Sequence, residues 1–176
     1  MGEGTQTVDF VATIPPALAG HPFTVRLQTE ADLPFIEHLY VSHRWEEMQA
    51  APWTDDMRLA FLKDQFRGQW HHYSTAYFDS LFLIAEVNGE AVGRLYLFDQ
   101  HPEDLRIVDI GFTEAWRGRG LGGALLRLVQ DYAAAKGKYC SIHVEQTNPA
   151  RRLYNRLGFR EIKPVGPYVL LEWRPS

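Results

Sequence analysis

The sequence has few of the features that mark the specialised classes of protein. It contains one cysteine, Cys140, so it cannot form an intramolecular disulfide, and the strand-like context of Cys140 predicts a buried thiol rather than a nucleophile. No run of about 18 apolar residues is present, so we expect no membrane span. The formal net charge is −4 without a basic stripe, so we expect no nucleic-acid partner.

Other signals are also missing. The N-terminus lacks the basic start and apolar core of a signal peptide, so we expect a cytoplasmic protein. No residues have metal-ligand spacing, because His71 and His72 are adjacent and would face different sides of a helix. We therefore expect no metal ion.

The residues that are present predict one ordinary globular domain. Hydrophobic residues make up 45% and charged residues 23% of the 176 positions, and this length suffices for one core. Residues 1–22 are polar and contain three prolines, which predicts a flexible N-terminal arm. Residues 23–176 are then the domain, without repeats or low-complexity linkers.

Apolar periodicity predicts the element order β-α-α-β-β-β-α-β-α-β-β, a mixed sheet with helices of α+β character. The clearest local signal is Asn88-Gly89, which lies between two apolar runs and predicts a hairpin.

A glycine-rich stretch follows the predicted strand Leu105–Phe112. Four glycines lie within residues 118–123, Arg117 and Arg119 flank the first of them, and a strongly amphipathic helix follows. The N–H groups at a helix start have no internal acceptor, and the helix dipole favours an anion there. This stretch therefore predicts a phosphate site.

The spacing Gly118-x-Gly120-x-x-Gly123 also satisfies the dinucleotide-binding fingerprint. In that fingerprint the first glycine follows the strand almost directly, whereas five residues separate Phe112 from Gly118. A dinucleotide-dependent oxidoreductase is thus the weaker alternative. A P-loop is excluded, because no Lys-Ser or Lys-Thr ends the run.

Two segments together resemble the GNAT family of N-acetyltransferases. Arg117-x-x-Gly120-x-Gly122 resembles the acyl-CoA pyrophosphate loop of that family, and Asn148–Phe159 resembles its second signature. The resemblance covers residues 23–174. It implies an acyl-CoA N-acyltransferase fold, which is a mixed, mostly antiparallel central sheet of about seven strands flanked by about four helices, and acetyl-CoA as co-substrate.

The resemblance also implies roles for individual residues. Two strands, Leu105–Phe112 and 138–145 here, splay apart to admit the cofactor, and the Ile110 N–H polarises the acetyl carbonyl. The implied cofactor-binding residues are Ile110, Phe112, Arg117, Gly118, Arg119, Gly120, Leu121, Gly122, Gly123 and Asn148.

Tyr154 matches the family tyrosine that protonates the departing CoA thiolate. We assign the removal of the amine proton to His143, with Glu145, Asp109 or water as alternatives.

The acceptor stays open between a small-molecule amine and a protein or peptide amine. Trp45, Glu46 and Glu47 fit a cationic acceptor, although they equally fit a solvated helix face. A non-catalytic acyl-CoA-binding module on the same fold is the alternative to an enzyme, and a homodimer is an open question.

Overall fold

A central sheet of eight strands organises the computed structural model, which describes residues 9–176. The strands are β1 (Ala17–Leu18), β2 (His21–Leu27), β3 (Leu81–Val87), β4 (Glu90–Phe98), β5 (Asp104–Phe112), β6 (Tyr139–Glu145), β7 (Arg160–Val165) and β8 (Tyr168–Trp173). Their order in the sheet is β1-β2-β3-β4-β5-β6-β8-β7. Among these strands only β5 and β6 pair in parallel, and the other neighbours are antiparallel.

Helices cover both faces of the sheet. They are α1 (Leu33–Arg44), α2 (Asp55–Ala76), α3 (Leu121–Ala135) and α4 (Arg151–Arg156), and residues 9–12 are also helical. The main core lies between the sheet and α3, whose Leu121, Leu125 and Val129 are buried at helical spacing. A second core joins α1 and α2 to the opposite face through Ile36, Phe66 and Ile84.

This architecture confirms the predicted fold class. The predicted hairpin is present, because Asn88 and Gly89 both have positive φ, 53° and 78°, as a two-residue turn between twisted strands requires. The sheet has eight strands rather than about seven, because Ala17–Leu18 pairs with the start of β2.

The expected arm at the N-terminus differs from what the structure shows over residues 9–22. Phe10 is fully buried, and its ring packs edge-on against Tyr132 of α3 at 5.2 Å. Leu18 is also buried in the main core. Apolar residues within a polar, proline-containing stretch therefore fix this segment to the domain, whereas residues 1–8 of the expected arm lie outside the described residues.

The parallel pairing of β5 with β6 ends partway along β5. Its register begins at Asp104–Tyr139 and ends at Ile107–Ile142, yet β5 continues to Phe112. The register between β4 and β5 shifts beside Val108, and such a bulge bends a strand. Beyond this bulge, residues 109–112 of β5 pair with β4 on one side only and leave an open edge on the side of β6.

Candidate active site

The open edge of β5 presents the main-chain groups of Ile110 and Phe112. Thr113 donates its N–H to the Val92 carbonyl at 2.9 Å, so residues 113 and 111 hydrogen-bond with β4. In an antiparallel pair the alternate residues face away, which directs the N–H and C=O of Ile110 and Phe112 toward the gap between β5 and β6. These are the two residues that the sequence assigns to the cofactor arm.

The glycine loop lies at the end of this edge. Gly118 and Gly120 have φ values of 70° and 83°, which favour glycine, and α3 begins directly after Gly120. The first helical hydrogen bond runs from the Ala124 N–H to the Gly120 carbonyl. The N–H groups of residues 121–123 thus have no acceptor within the helix, which is the arrangement that favours an anion.

The two arginines of the loop have different contacts. Arg117 donates from Nε to the Phe112 carbonyl at 3.1 Å, which ties the loop back to β5. The Arg119 guanidinium lies 4.5 Å above the Trp116 ring. Both residues are solvent-exposed, so their positive charge lies beside the first turn of α3.

Tyr154 lies on α4, with 5% of its surface exposed. Its ring packs against Phe159 at 5.7 Å, and its hydroxyl has no hydrogen-bond partner among the described residues. Burial, followed by the nearby Asp109 carboxylate, raises the pKa of Tyr154, because both disfavour the phenolate. The hydroxyl therefore carries its proton at neutral pH and is available as a donor.

Asn148 precedes α4 and stabilises the turn that leads into this helix. Its Oδ1 accepts a hydrogen bond from the Ala150 N–H at 2.9 Å, as an Asx turn does. The Leu153 Cδ1 atom lies 3.4 Å from the position that a Cβ atom on Gly123 would take. The helix that carries Tyr154 therefore packs against the start of α3 through Leu153.

His143 and Glu145 lie on the same face of β6, just beyond the last pair with β5. His143 is exposed, and desolvation followed by the Arg106 charge lowers its pKa, so the neutral imidazole is favoured. Glu145 forms an ion pair with Arg44 of α1 at 3.3 Å.

Asp109 belongs to a polar network between the sheet and α2. It forms a short ion pair with Arg94 of β4, whose side chain is only 5% exposed and also donates to Gln69 at 3.2 Å. Burial, followed by the Asp109 charge, raises the pKa of the nearby Tyr73. Sequence reasoning missed Arg94, although a single arginine within the apolar run of β4 is a signal of a paired buried charge.

His43 is the second residue that sequence reasoning missed. It lies near the end of α1, and its Nε2 is 2.9 Å from the carbonyl oxygen of Phe112 on the open edge. A Cβ atom on Gly111 would lie only 2.6 Å from its Cε1, so the imidazole rests directly on β5 because residue 111 is glycine. No motif marks His43, because its position depends on the packing of α1 against the sheet.

Other features of the chain are structural or absent within the described part. Cys140 is fully buried, and burial raises its pKa to about 12, so the expected buried thiol is present. Across residues 9–176 no cluster of three metal-ligating side chains occurs. None of the helices in that range has the length and apolar content needed to cross a bilayer.

Comparison with known proteins supplies the family context. The sequence profile of the acetyltransferase (GNAT) family matches residues 41–159. A mycothiol acetyltransferase from Corynebacterium glutamicum is 31% identical over 123 residues, which are 68% of this chain and 34% of that enzyme. An N-alpha-acetyltransferase from Sulfurisphaera tokodaii is 30% identical over 106 residues, 52% of this chain and 63% of that enzyme. The chain thus spans about a third to two thirds of the length of these relatives.

Solved structures share the fold. The PaiA N-acetyltransferase from Thermoplasma acidophilum, solved in complex with coenzyme A, superposes with a TM-score of 0.66 and 16% identity. The alignment covers 87% of this chain and 99% of that one. At this identity the likeness extends to the fold and not to the acceptor.

Proposed function

The chain belongs to the acetyltransferase (GNAT) family, and on that basis we propose that it transfers an acetyl group from acetyl-CoA to a primary amine by direct attack in a ternary complex. The observation that carries this proposal is the meeting of the open β5 edge with the unpaired N–H groups at the start of α3. The first suits an extended amide-containing arm, and the second suits a pyrophosphate. Acetyl-CoA contains both in sequence.

In this mechanism the cofactor is held mainly by main-chain groups. Arg117 to Gly123 surround the pyrophosphate. The main-chain groups of Ile110 and the N–H of Phe112 pair with the pantetheine arm as an added strand would, while the Phe112 carbonyl accepts from Arg117 and His43. The Ile110 N–H is directed at the acetyl carbonyl oxygen. One such donor contributes roughly 2.7–4 kcal/mol when negative charge develops on that oxygen.

Tyr154 is the proposed proton donor to the departing thiolate. Its raised pKa keeps the hydroxyl protonated, and because no other group within residues 9–176 accepts from this hydroxyl, the proton is free for transfer. A free thiol has a pKa of about 8.5, so the leaving group needs only modest assistance.

The amine must also lose a proton. With a pKa of about 10.4, a lysine amine costs roughly 4.6 kcal/mol to deprotonate at pH 7, whereas an α-amino group costs about 1 kcal/mol. His143 remains our sequence-based candidate for the acceptor of this proton, with Glu145 and Asp109 as alternatives. Both carboxylates already form ion pairs with arginines, Glu145 with Arg44 and Asp109 with Arg94, which favours His143 among the three.

The acceptor amine is proposed to approach from the α1 side of β5. Arg44 and its partners Glu145 and Glu47 lie there, and the two carboxylates leave this cluster with one net negative charge. A protonated amine is attracted to such a cluster. The relatives include enzymes named as a mycothiol acetyltransferase and an N-alpha-acetyltransferase, so both small-molecule amines and α-amino groups belong in the test.

Calorimetry followed by turnover assays tests the proposal. We expect CoA to bind and NAD not to bind, and we expect acetyl transfer to at least one amine in a panel of small amines, α-amino peptides and lysine peptides. Binding of CoA without turnover on any amine would instead support the acyl-CoA-binding module. Binding of NAD in preference to CoA would contradict the proposed cofactor.

A further inference from the structure

We propose that His43 accepts the proton from the attacking amine. This role rests on the proposed acetyl transfer, and it gives to His43 the proton that the sequence alone assigned to His143. It is assigned from the position of the imidazole on the open edge of β5, where the acetyl group and the amine would meet.

The position of His43 is fixed by two contacts with β5. Its Nε2 lies 2.9 Å from the Phe112 carbonyl oxygen, and its Cε1 lies against Gly111 so closely that a side chain there would collide with it. Gly111 separates Ile110 from Phe112, the two residues that face the open edge. The imidazole thus lies one residue from the N–H proposed to polarise the acetyl carbonyl.

The hydrogen bond determines the tautomer of the ring. A carbonyl oxygen only accepts, so Nε2 must carry the proton when His43 is neutral. Nδ1 then carries the lone pair, and it has no partner among the described residues. A neutral imidazole held by one nitrogen and open at the other has the arrangement of a general base.

The surroundings favour the neutral form without preventing proton uptake. The charged groups that face His43 are Arg117 from the glycine loop, Arg94 from β4 and Asp109 from β5. Desolvation, which is the largest influence, and the two guanidinium groups lower the pKa of His43, whereas the Phe112 carbonyl and Asp109 oppose them. The ring is solvent-accessible, so a captured proton can pass to water.

The two protons that leave the amine nitrogen go to different residues. His43 Nδ1 takes one proton from the bound ammonium, and the amine lone pair forms the N–C bond with the acetyl carbon. When the C–S bond breaks, Tyr154 gives its proton to the sulfur and regains one from the second proton of the nitrogen. The net reaction converts the ammonium and acetyl-CoA into the amide, CoA thiol and one proton released through His43.

The central experiment is the variant His43→Gln. Glutamine keeps an N–H donor for the Phe112 carbonyl but cannot titrate, so it separates proton transfer from positioning. We expect kcat/KM to fall by about 100-fold or more, the loss typical of a missing general base, while the Kd for CoA stays within threefold. The matched control His38→Gln, an exposed position on the same helix, should behave as wild type.

The pH profile gives a second readout. In wild type we expect kcat/KM to fall with decreasing pH, with an apparent pKa below the ordinary value for histidine, and this acid limb should vanish in His43→Gln. Retention of the acid limb and of wild-type activity in His43→Gln would overturn the proposal. Loss of the limb in His143→Gln instead would assign the proton to His143 and also overturn it.

Two further measurements test the role of His43 separately from acetyl transfer. Nitrogen-15 NMR of the imidazoles should show His43 at pH 7 as the neutral tautomer protonated at Nε2, and a charged ring or the other tautomer would reject the role even if transfer occurs. Gly111→Ala, whose Cβ would displace the ring, should reproduce the activity loss of His43→Gln. If no amine is acetylated by wild type, the transfer function fails first, and the role of His43 fails with it.

Discussion

The two sides of β5 are built from different parts of the protein. On the α3 side, the site consists of main-chain N–H groups and a loop of left-handed glycines, all within residues 110–123. On the α1 side it consists of side chains from several elements, held by ion pairs between residues far apart in sequence, such as Arg44 and Glu145, 101 positions apart. The proposed cofactor side is thus local and made of backbone, whereas the proposed acceptor side is assembled by the fold.

This difference has a physical basis. Every acyl-CoA presents the same pyrophosphate and amide groups, which main-chain donors and acceptors recognise without particular side chains. Acceptor amines differ in size and charge, so recognition depends on side chains whose positions come from tertiary packing. The variants below test whether the two sides are energetically separate, in order of decreasing expected effect.

The largest effect is expected on the acceptor side, from Arg94→Met. The Arg94 side chain is 5% exposed and its main partner is Asp109, so the substitution leaves a partly buried carboxylate without its ion pair. Breaking such a pair typically costs about 3–5 kcal/mol, which urea unfolding would measure. Arg174→Met, at an exposed pair with Glu172, should cost under about 1 kcal/mol. Equal losses in the two variants would show that the Arg94 network adds nothing to stability.

The second effect is expected in the chemistry on the cofactor side, from Tyr154→Phe. Removing the proton donor should lower kcat by about 100-fold, equivalent to about 2.7 kcal/mol, with little change in the Kd for CoA. Steady-state kinetics and calorimetry on the same preparation provide both values. Tyr139→Phe, on a half-buried ring that stacks on Arg174, is the matched control. An unchanged kcat in Tyr154→Phe would make Tyr154 a core aromatic only.

The smallest effect is expected in the loop, from Gly120→Ala. Gly120 has φ 83° at the start of α3, and an alanine there is disfavoured by about 1–2 kcal/mol. Relaxation of that strain turns the helix N–H groups away, so we expect the Kd for CoA to rise by about 5- to 30-fold. Gly68→Ala, at an open position within α2, should instead leave CoA affinity unchanged and raise stability by about 0.5–1 kcal/mol. A normal Kd in Gly120→Ala would show that the loop geometry is not needed for CoA.

Sequence reasoning succeeded where the signals are local. The Asn88-Gly89 turn, the start of α3 after the glycines and the buried Cys140 each follow from neighbouring residues. It did not identify Phe10 and Leu18 as core residues, because the polar composition of residues 9–22 conceals these two apolar side chains.

The polar contacts on the acceptor side could not be predicted from the sequence. Arg94 and Asp109 lie 15 positions apart on adjacent strands, and the register across the bulge at Val108 is what brings them together. His43 reaches Phe112 across 69 positions, because α1 crosses the end of β5. Neither contact can be predicted from periodicity, which specifies the buried face of an element and not the element that packs against it.

The sequence by itself determined the fold class and the start of α3 after the glycines, since both depend on short-range patterns of apolar residues and glycines. Only the tertiary structure decided how far β5 and β6 stay paired, which main-chain groups face the gap, and which side chains from α1 and β4 reach it. The physical reason is that a backbone site forms wherever the chain turns correctly, whereas a side-chain site requires distant elements to pack in one register.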